Sequence, residues 1–213
     1  MIDIENLSKS FGRRTLWSGI DLTVHSGRML ALTGPSGSGK STLLNCLGLL
    51  DAPTSGAIRH QGRDITRLGP RQARLFRRDV LGYLFQHYAL IDNATVAANL
   101  EVVAKPRRGS RRTMRTAVSE ALERVGLAGR EKEKVSRLSG GEQQRVALAR
   151  LMVKQPLLVL ADEPTGALDH DNTVTVVKIL RELSDSGCAV VIATHDDYVR
   201  EQCDAVFPLI VSE

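Results

Sequence analysis

The chain has 213 residues, enough for one α/β core, alone or with a smaller lobe. With 42% hydrophobic and 25% charged residues it has the composition of an ordinary globular protein, and its longest apolar runs have only the length of a buried strand, which predicts no membrane-spanning segment. The net charge of +5 permits an acidic partner without requiring one. Three widely spaced cysteines and an N-terminus without a signal-like apolar core predict a reducing, cytoplasmic location.

The first segment predicts an antiparallel sheet. Apolar and polar residues alternate over 2–4 and 20–24, as in half-buried strands. Phe11 lies between these strands, where its ring either stacks on a nucleotide base or packs in the core, and Trp17 is assigned to the core. Residues 51–56 are turn-rich, and the segment 57–65, with Gln61-Gly62 at its centre, predicts a hairpin that continues the same sheet.

A phosphate-binding loop is predicted at 34–41, where the sequence reads GPSGSGKS. In this pattern glycines let successive backbone N–H groups point at phosphate oxygens, Lys40 reaches the outer phosphates, and Ser41 offers its hydroxyl to Mg2+. The apolar run Met29–Thr33 before the loop and the leucine-rich stretch 41–50 after it provide the required order of strand, loop and helix. A glycine-rich turn between a strand and a helix is the alternative.

Residues 72–137 are arginine-rich and mainly helical in pattern, with helices predicted at 94–103 and 113–125 and a short strand at 82–85. Gln86 follows that strand. It is either a solvated loop residue or, because strand ends in a P-loop sheet face the nucleotide, a residue that meets the metal. Five arginines form either a solvated face or a surface that attracts anionic lipid or nucleic acid: Arg107, Arg108, Arg111, Arg112 and Arg115.

A capped helix is predicted to begin in the sequence LSGGEQQ at 138–144. Ser139 is a natural N-cap, and Glu142, three residues later, completes a capping box. Alone, this pattern is a well-capped helix that Pro156 ends. Together with the P-loop, it offers a second helix N-terminus with glycine backbone that can bind phosphate.

Two acidic residues follow a predicted buried parallel strand at 157–161. In a P-loop ATPase the first, Asp162, holds Mg2+ through its water shell, and the second, Glu163, polarises the water that attacks the γ-phosphate. Adjacent acids at a strand end rarely serve structure, so this pair is a candidate catalytic site.

The predicted order ends with a helix at 171–186 and a last buried strand, Ala189–Ala193. The helix is expected to stop at Gly187 and to turn four residues inward: Val174, Val177, Leu180 and Leu183. His195 follows the strand. A lone histidine is usually a surface or core residue, but its place beside the acids favours contact with the γ-phosphate.

Together these motifs resemble the nucleotide-binding subunits of ABC transporters along the entire chain. LSGGEQQRVALAR is similar to that family's signature, and the order of P-loop, Gln86, signature, LLVLADEP, GALD and His195 matches it element by element. Within the family, the signature and GLLDAPTSG resemble the group of macrolide exporters, lipoprotein-releasing systems and the cell-division ATPase. YLFQHYALIDNATVAANL resembles ATPases beside bacteriocin exporters of the lactococcin 972 type.

The resemblance implies an α/β fold, a P-loop NTPase with a RecA-like core and an antiparallel β subdomain. A helical subdomain at about 72–140 is inserted in this core, and residues 1–213 form a single ATP-binding domain. Phe11, which replaces the commoner tyrosine, would stack on the base. Gly166 stands where serine is frequent, and neither departure removes a group that the chemistry needs.

The resemblance also implies roles for individual residues, with ATP and Mg2+ as ligands. Glu163 is the expected general base, Gln86 and His195 the other catalytic residues, and the metal ligands are Ser41, Gln86 and Asp162. Besides Phe11, the residues expected to bind ATP in one chain are Gly34, Ser36, Gly37, Ser38, Gly39, Lys40, Ser41 and Thr42. The second copy would contribute Ser139, Gly140 and Gly141, and Asp169 would cross the dimer interface.

The implied function is that of an ATPase that pairs head to tail with a second copy and moves a separately encoded membrane-spanning permease. The chain would lie on the inner face of the cell membrane through that permease, with export or membrane extraction favoured and no nucleic acid expected. One alternative is a membrane complex that signals mechanically without transport. Another is a soluble ABC ATPase acting on nucleic acid or in iron-sulfur assembly.

Overall fold

The computed structural model describes residues 1–103, 111–166 and 168–210. The strands are β1 (Ile2–Phe11), β2 (Arg14–Val24), β3 (Met29–Thr33), β4 (Ser55–His60), β5 (Arg63–Asp64), β6 (Leu81–Leu84), β7 (Leu158–Asp162), β8 (Ala189–Ala193) and β9 (Ala205–Pro208). The helices are α1 (Lys40–Leu47), α2 (Pro70–Asp79), α3 (Val96–Glu101), α4 (Arg111–Arg124), α5 (Gly140–Lys154), α6 (His170–Asp185) and α7 (Asp197–Glu201), with a 3-10 turn at Val135–Arg137. None of these helices combines the length and hydrophobicity needed to span a bilayer.

The antiparallel sheet has the strand order β2-β1-β4-β5, as the alternating sequence pattern predicts. Its inner face buries the apolar member of each alternating pair, including Ile2, Ile4 and Ile58, and Trp17 is 1% exposed. This face packs on one side of the parallel sheet, where it shares a hydrophobic core with α1. The sheet therefore supports the phosphate-binding loop from behind.

The second sheet is parallel throughout, with the order β6-β7-β8-β3-β9. Its central strands β7 and β8 are buried on both faces, because helices cover one side and the antiparallel sheet the other. Parallel strands end at the same edge, so the segments after β3, β6, β7 and β8 meet there. These four segments carry the P-loop, Gln86, the acidic pair and His195.

Three sequence predictions about this core are wrong. Val174 is 36% exposed, because the buried face of α6 runs through Thr173, Val176 and Val177. Leu157 is 49% exposed and precedes β7, which begins one residue later than predicted. Ala189–Ala193 is not the last strand, since β9 pairs with β3 at the sheet edge.

The helical region between β5 and β7 differs from the prediction mainly at its boundaries. Helix α3 begins after its N-cap Thr95 and ends at Glu101, shorter than the expected 94–103, and α4 begins two residues before the expected start at 113. Of the basic cluster, Arg112 and Arg115 are exposed, Arg107 and Arg108 lie outside the described residues, and the same holds for the side chain of Arg111. Helices α3, α4 and α5 pack around a common core.

Candidate active site

The P-loop joins β3 to α1 and leaves the first N–H groups of α1 free of a side-chain cap. Gly39 occupies the N-cap position with φ 93° and ψ 21°, and no side chain accepts a hydrogen bond there. The uncapped N–H groups and the helix dipole together form an anion-binding site. The loop geometry therefore suits phosphate, as the sequence pattern predicts.

Two loop glycines are packed too closely to carry a side chain. A Cβ on Gly34, at φ 147°, would lie 2.6 Å from the Leu209 carbonyl oxygen and 2.9 Å from Ser38 Oγ. A Cβ on Gly39 would lie 2.5 Å from Leu16 Cδ2 and 2.7 Å from Trp17 Nε1. Leu16 and Trp17, core residues of β2, therefore limit how the loop can sit against the antiparallel sheet.

Lys40 folds over the loop. Its Nζ donates to the carbonyl oxygen of Gly34 at 2.8 Å and to that of Pro35 at 3.3 Å. These contacts hold the ammonium group at the mouth of the loop, within the same cleft as the uncapped N–H groups. A cation held there complements the outer phosphates of a nucleotide.

The donor set for a metal ion lies beside the loop. Ser41 Oγ donates to Asp162 Oδ1 at 3.0 Å. Burial raises the pKa of Asp162, and the hydrogen bond from Ser41 opposes that shift. Among the described residues there is no group of three or more His, Cys, Asp or Glu side chains that could hold a metal ion. The three predicted ligands are the Asp162 carboxylate, the Ser41 hydroxyl and the Gln86 amide. So small a set fits Mg2+, which keeps several waters and shares phosphate oxygens, rather than a metal that needs a full protein cage.

Glu163 lies at the end of β7 in a strained conformation. Its φ is 46°, in the left-handed region that non-glycine residues rarely occupy, and its N–H donates to the Ala193 carbonyl oxygen at 2.9 Å. Its Oε2 lies 2.9 Å from His195 Nδ1, although the pair is not aligned as a hydrogen bond. The His195 side chain is 72% exposed and the Glu163 side chain 18%, so the carboxylate faces the cleft under the imidazole.

Phe11 and Gln86 both line the cleft. Phe11 is 55% exposed, so the core alternative is wrong for this ring. Lys9 Nζ lies 4.8 Å from the ring centroid and also pairs with Asp51, which fixes one side of the ring. Gln86 follows β6 and faces the same cleft.

The cleft has a volume of about 930 Å³ and brings together eleven of the predicted residues: Phe11, Gly34, Ser36, Gly37, Gly39, Lys40, Ser41, Thr42, Gln86, Glu163 and His195. Ser38 is fully buried, with its Oγ unpaired among the described residues, and it does not line the cleft. Asp162 lies under Ser41.

Besides Ser38 and Asp162, four predicted residues do not line this cleft: Ser139, Gly140, Gly141 and Asp169. Ser139 caps α5 by accepting from the Glu142 N–H, and the Glu142 carboxylate accepts from the Ser139 N–H, which is the predicted capping box. Ser139 and Gly140 are exposed at this α5 tip (residues 139–141). Asp169 caps α6 and accepts hydrogen bonds from the N–H and side-chain amide of Asn172. The structure thus separates the α5 tip and Asp169 from the P-loop of the same chain.

Some residues of the site were missed by sequence reasoning. Arg14 lines the cleft because it pairs with Phe11 across the β1–β2 hairpin, a register that the short 10–14 segment could have indicated. Gln144 is buried and donates to the Pro164 carbonyl oxygen, and Arg145 Nη1 donates to Asn172 Oδ1 at 2.9 Å. No local sequence pattern indicates these two contacts, which connect α5 to the segment after Glu163.

Comparison with known proteins gives a family and a group. The family model described as ABC transporter matches residues 17–166. The macrolide export ATP-binding/permease protein MacB of Salmonella choleraesuis (strain SC-B67) is 41% identical over 213 residues, covering 98% of this chain and 33% of that protein. The pyoverdine export ATP-binding/permease protein PvdT of Pseudomonas fluorescens is 39% identical over 214 residues, with the same coverage of 98% and 33%. The chain therefore spans about a third of the length of these relatives.

Solved structures extend the similarity to the fold. A dimeric post-hydrolysis structure of the ATP-binding cassette MJ0796 bound to ADP and Pi has a TM-score of 0.90 and 32% identity, covering 98% of this chain and 94% of that one. The structure of cbiO1 from Clostridium perfringens has a TM-score of 0.85 and 29% identity, covering 97% and 83%. The predicted fold class and the similarity to the macrolide-exporter group are confirmed, while the bacteriocin-exporter subgroup stays a prediction. The chain belongs to the ABC transporter family and is an ATPase of that family.

Proposed function

We propose that this chain is the ATP-hydrolysing subunit of an export machine and that it works as an ATP-dependent head-to-tail dimer. One observation carries the proposal: the cleft holds the P-loop, Glu163, Gln86 and His195, whereas the exposed α5 tip lies outside it in the same chain. A phosphate-binding helix terminus that cannot reach its own P-loop is explained when it closes over the ATP of a second copy.

In the proposed site the backbone N–H groups of 36–42 and Lys40 hold the phosphates, and the Phe11 ring stacks on the base. Ser41, Asp162 and Gln86 would hold Mg2+, which when bound neutralises charge on the β- and γ-phosphates. Lys40 and the loop orient the γ-phosphate. Phosphoryl transfer needs little covalent chemistry from the protein, so positioning and charge are the main contributions of these residues.

Glu163 is proposed as the general base. Its carboxylate faces the cleft one residue beyond Asp162, so it can accept a proton from a water molecule beside the γ-phosphate. His195, 2.9 Å away, would contact the γ-phosphate and hold the carboxylate in place. The strained backbone of Glu163 is consistent with a catalytic position, because such strain concentrates at functional sites.

The second copy would contribute Ser139, Gly140 and Gly141 to the ATP site, and Asp169 would lie at the interface. In support, the solved structure of MJ0796 with the highest TM-score quoted above is described as dimeric and bound to ADP and Pi. In the single chain, the Arg145–Asn172–Asp169 contacts link the α5 tip to the Asp169 segment. Both proposed interface segments would therefore approach the partner together.

A membrane-spanning partner is proposed to dock beside Gln86. A groove of about 220 Å³ lies there, with the stacked rings of Tyr83 and Phe85 and the half-exposed Leu50 among its apolar residues. Its lining also includes Arg77 and other basic residues, so an apolar segment with acidic flanks would fit it. We propose that residues 72–140, apart from β6 in the parallel sheet, form the lobe that transmits movement to this partner.

Export is the favoured direction because the relatives quoted above are named as macrolide and pyoverdine export proteins. Those relatives are described as joint ATP-binding and permease proteins, so a permease is the expected partner whether or not it is encoded separately. The chain would then sit at the inner face of the cell membrane through that contact.

Glu163→Gln tests the proposal with the nearly isosteric neutral side chain. Loss of the base should lower ATP turnover by about 10²- to 10⁴-fold while ATP still binds. The exposed Glu201→Gln serves as the matched control on α7 and should hydrolyse ATP normally. Turnover by Glu163→Gln equal to that of the control would remove Glu163 from the mechanism. Co-purification of a multi-span membrane protein with the chain tests the proposed partner.

A further inference from the structure

Arg150, on α5, holds a strained turn that follows Gln86. Its Nη1 donates to the carbonyl oxygen of Ala89 at 2.5 Å, and its Nη2 donates to that of Tyr88 at 2.8 Å. Tyr88 and Ala89 both have left-handed backbone, with φ values of 58° and 47°. Two consecutive non-glycine residues in this region persist only where the surroundings enforce them.

The environment of Arg150 shows that its guanidinium is matched to this turn. Across residues 1–103, 111–166 and 168–210, no carboxylate forms an ion pair with it, and burial lowers the pKa of the group. Neutral carbonyl oxygens compensate a partly buried cation only when the geometry is good. The rigid fork of the guanidinium provides that geometry, because two of its N–H groups reach two successive carbonyls.

The same turn also reaches the α5 tip. The Tyr88 hydroxyl is the nearest atom to a Cβ built on Gly140, at 3.6 Å. Tyr88 and Gln86 line a small cavity of about 70 Å³ together with Glu163 and Gln144. The turn therefore contacts α5 through its carbonyls at Arg150 and places the Tyr88 hydroxyl near the α5 tip.

We propose that Arg150 is a positioning residue that locks the turn after Gln86 onto α5, so that Gln86 and the α5 tip move as one unit. When the tip closes on the ATP of a second copy, Gln86 is carried to the metal ion of its own site. The inference rests on the proposed function, since it takes Gln86 as a metal ligand. Lysine at position 150 keeps the charge but replaces the rigid fork with a single ammonium group on a flexible stem, and it is expected to be a partial substitute.

Hydrogen exchange on the full chain without nucleotide tests the lock directly. In Arg150→Met, the amides of residues 86–90 should exchange at least about tenfold faster, and in Arg150→Lys by a smaller factor, while β7 exchanges as before. The matched control is Arg115→Met, on the exposed face of α4. Unchanged exchange at 86–90 in both variants overturns the proposal. So does equally faster exchange throughout the chain, which marks a general loss of stability.

A Mg2+ titration of ATP hydrolysis separates this inference from its premise. Arg150→Lys and Gln86→Ala should both raise the Mg2+ concentration for half-maximal turnover severalfold, whereas loss of folded protein lowers the maximal rate without that shift. If Gln86→Ala shows the increase and Arg150→Lys does not, the inference alone is overturned. If neither variant shows it, the metal role of Gln86 in the proposed function falls as well. Should Arg150→Met fail to fold, Arg150→Lys, which keeps the charge without the rigid fork, provides both readouts.

Discussion

Two P-loop glycines offer a matched test of how the fold shapes the phosphate site. Gly37 and Gly39 have similar backbone, with φ 79° and 93°, but differ in what a methyl group would meet. Nothing lies within 4 Å of a Cβ on Gly37, whereas a Cβ on Gly39 would lie 2.5 Å from Leu16 Cδ2. Alanine in left-handed backbone costs about 1–2 kcal/mol, and overpacking adds about 1–3 kcal/mol. We expect Gly37→Ala to lower the free energy of unfolding by about 1–2 kcal/mol and Gly39→Ala by about 2–5 kcal/mol.

Urea unfolding monitored by circular dichroism measures both losses. Trp17, the single tryptophan of the chain, adds a local probe, because a Cβ on Gly39 would lie 2.7 Å from its Nε1. Its emission should change in Gly39→Ala and stay as it is in Gly37→Ala. Equal destabilisation by the two substitutions would refute the view that the antiparallel sheet sets the position of the loop.

Three further predictions follow from the site. Lys40→Ala should weaken ATP binding in calorimetry by about ten- to hundredfold, because a charge-assisted hydrogen bond contributes about 1.5–3 kcal/mol, and native affinity would argue against the P-loop assignment. Burial raises the pKa of Asp162, so ionising this carboxyl group costs more free energy in the folded chain than in the unfolded chain. The free energy of unfolding therefore falls as the pH rises through the folded-state pKa. Asp162→Asn should therefore raise the urea midpoint of the metal-free chain at neutral pH, unlike the exposed Asp171→Asn. Ser139→Ala should cost about 1 kcal/mol by removing the cap. Hydrogen bonds from the Ser139 N–H and hydroxyl lower the pKa of Glu142, and the alanine variant loses the second of them. That part of the stability should fade as the pH falls below the ordinary carboxyl range, and a pH-independent difference between Ser139→Ala and the native chain would contradict this.

The chemistry of the site could be predicted from the sequence because its elements are local. The P-loop needs particular glycines within eight residues between a strand and a helix, and the acidic pair follows directly on a strand, so spacing and the neighbouring elements together identify both. Their convergence also follows, since parallel strands end at one edge. Local patterns do not decide the position of Phe11, because its ring could pack in the core or lie in the cleft until its exposure was known.

Features that depend on distant contacts could not be predicted. The edge strand β9 is four residues long, half exposed and ends in Pro208, so it lacks the apolar run of β8. The Arg150 contacts join residues 61 and 62 positions apart. On α6, Thr173 is buried in place of the expected Val174, because of how this helix is rotated against the core. Tertiary packing decides such details, and a hydrophobic pattern does not record them.

The α5 tip of a second copy is proposed to complete the ATP site, and sedimentation of Glu163→Gln with ATP measures the dimer that this requires. We expect an ATP-dependent dimer that Gly141→Glu abolishes in the same background. A Cβ on Gly141 has ordinary contacts, at 3.8 Å from Arg145 Nη1, and an acid in the first turn of a helix is favourable, so the variant should fold and bind ATP. Its carboxylate would repel the phosphates held by the other chain. A monomer in Glu163→Gln at saturating ATP, or a dimer that Gly141→Glu leaves intact, would contradict the account.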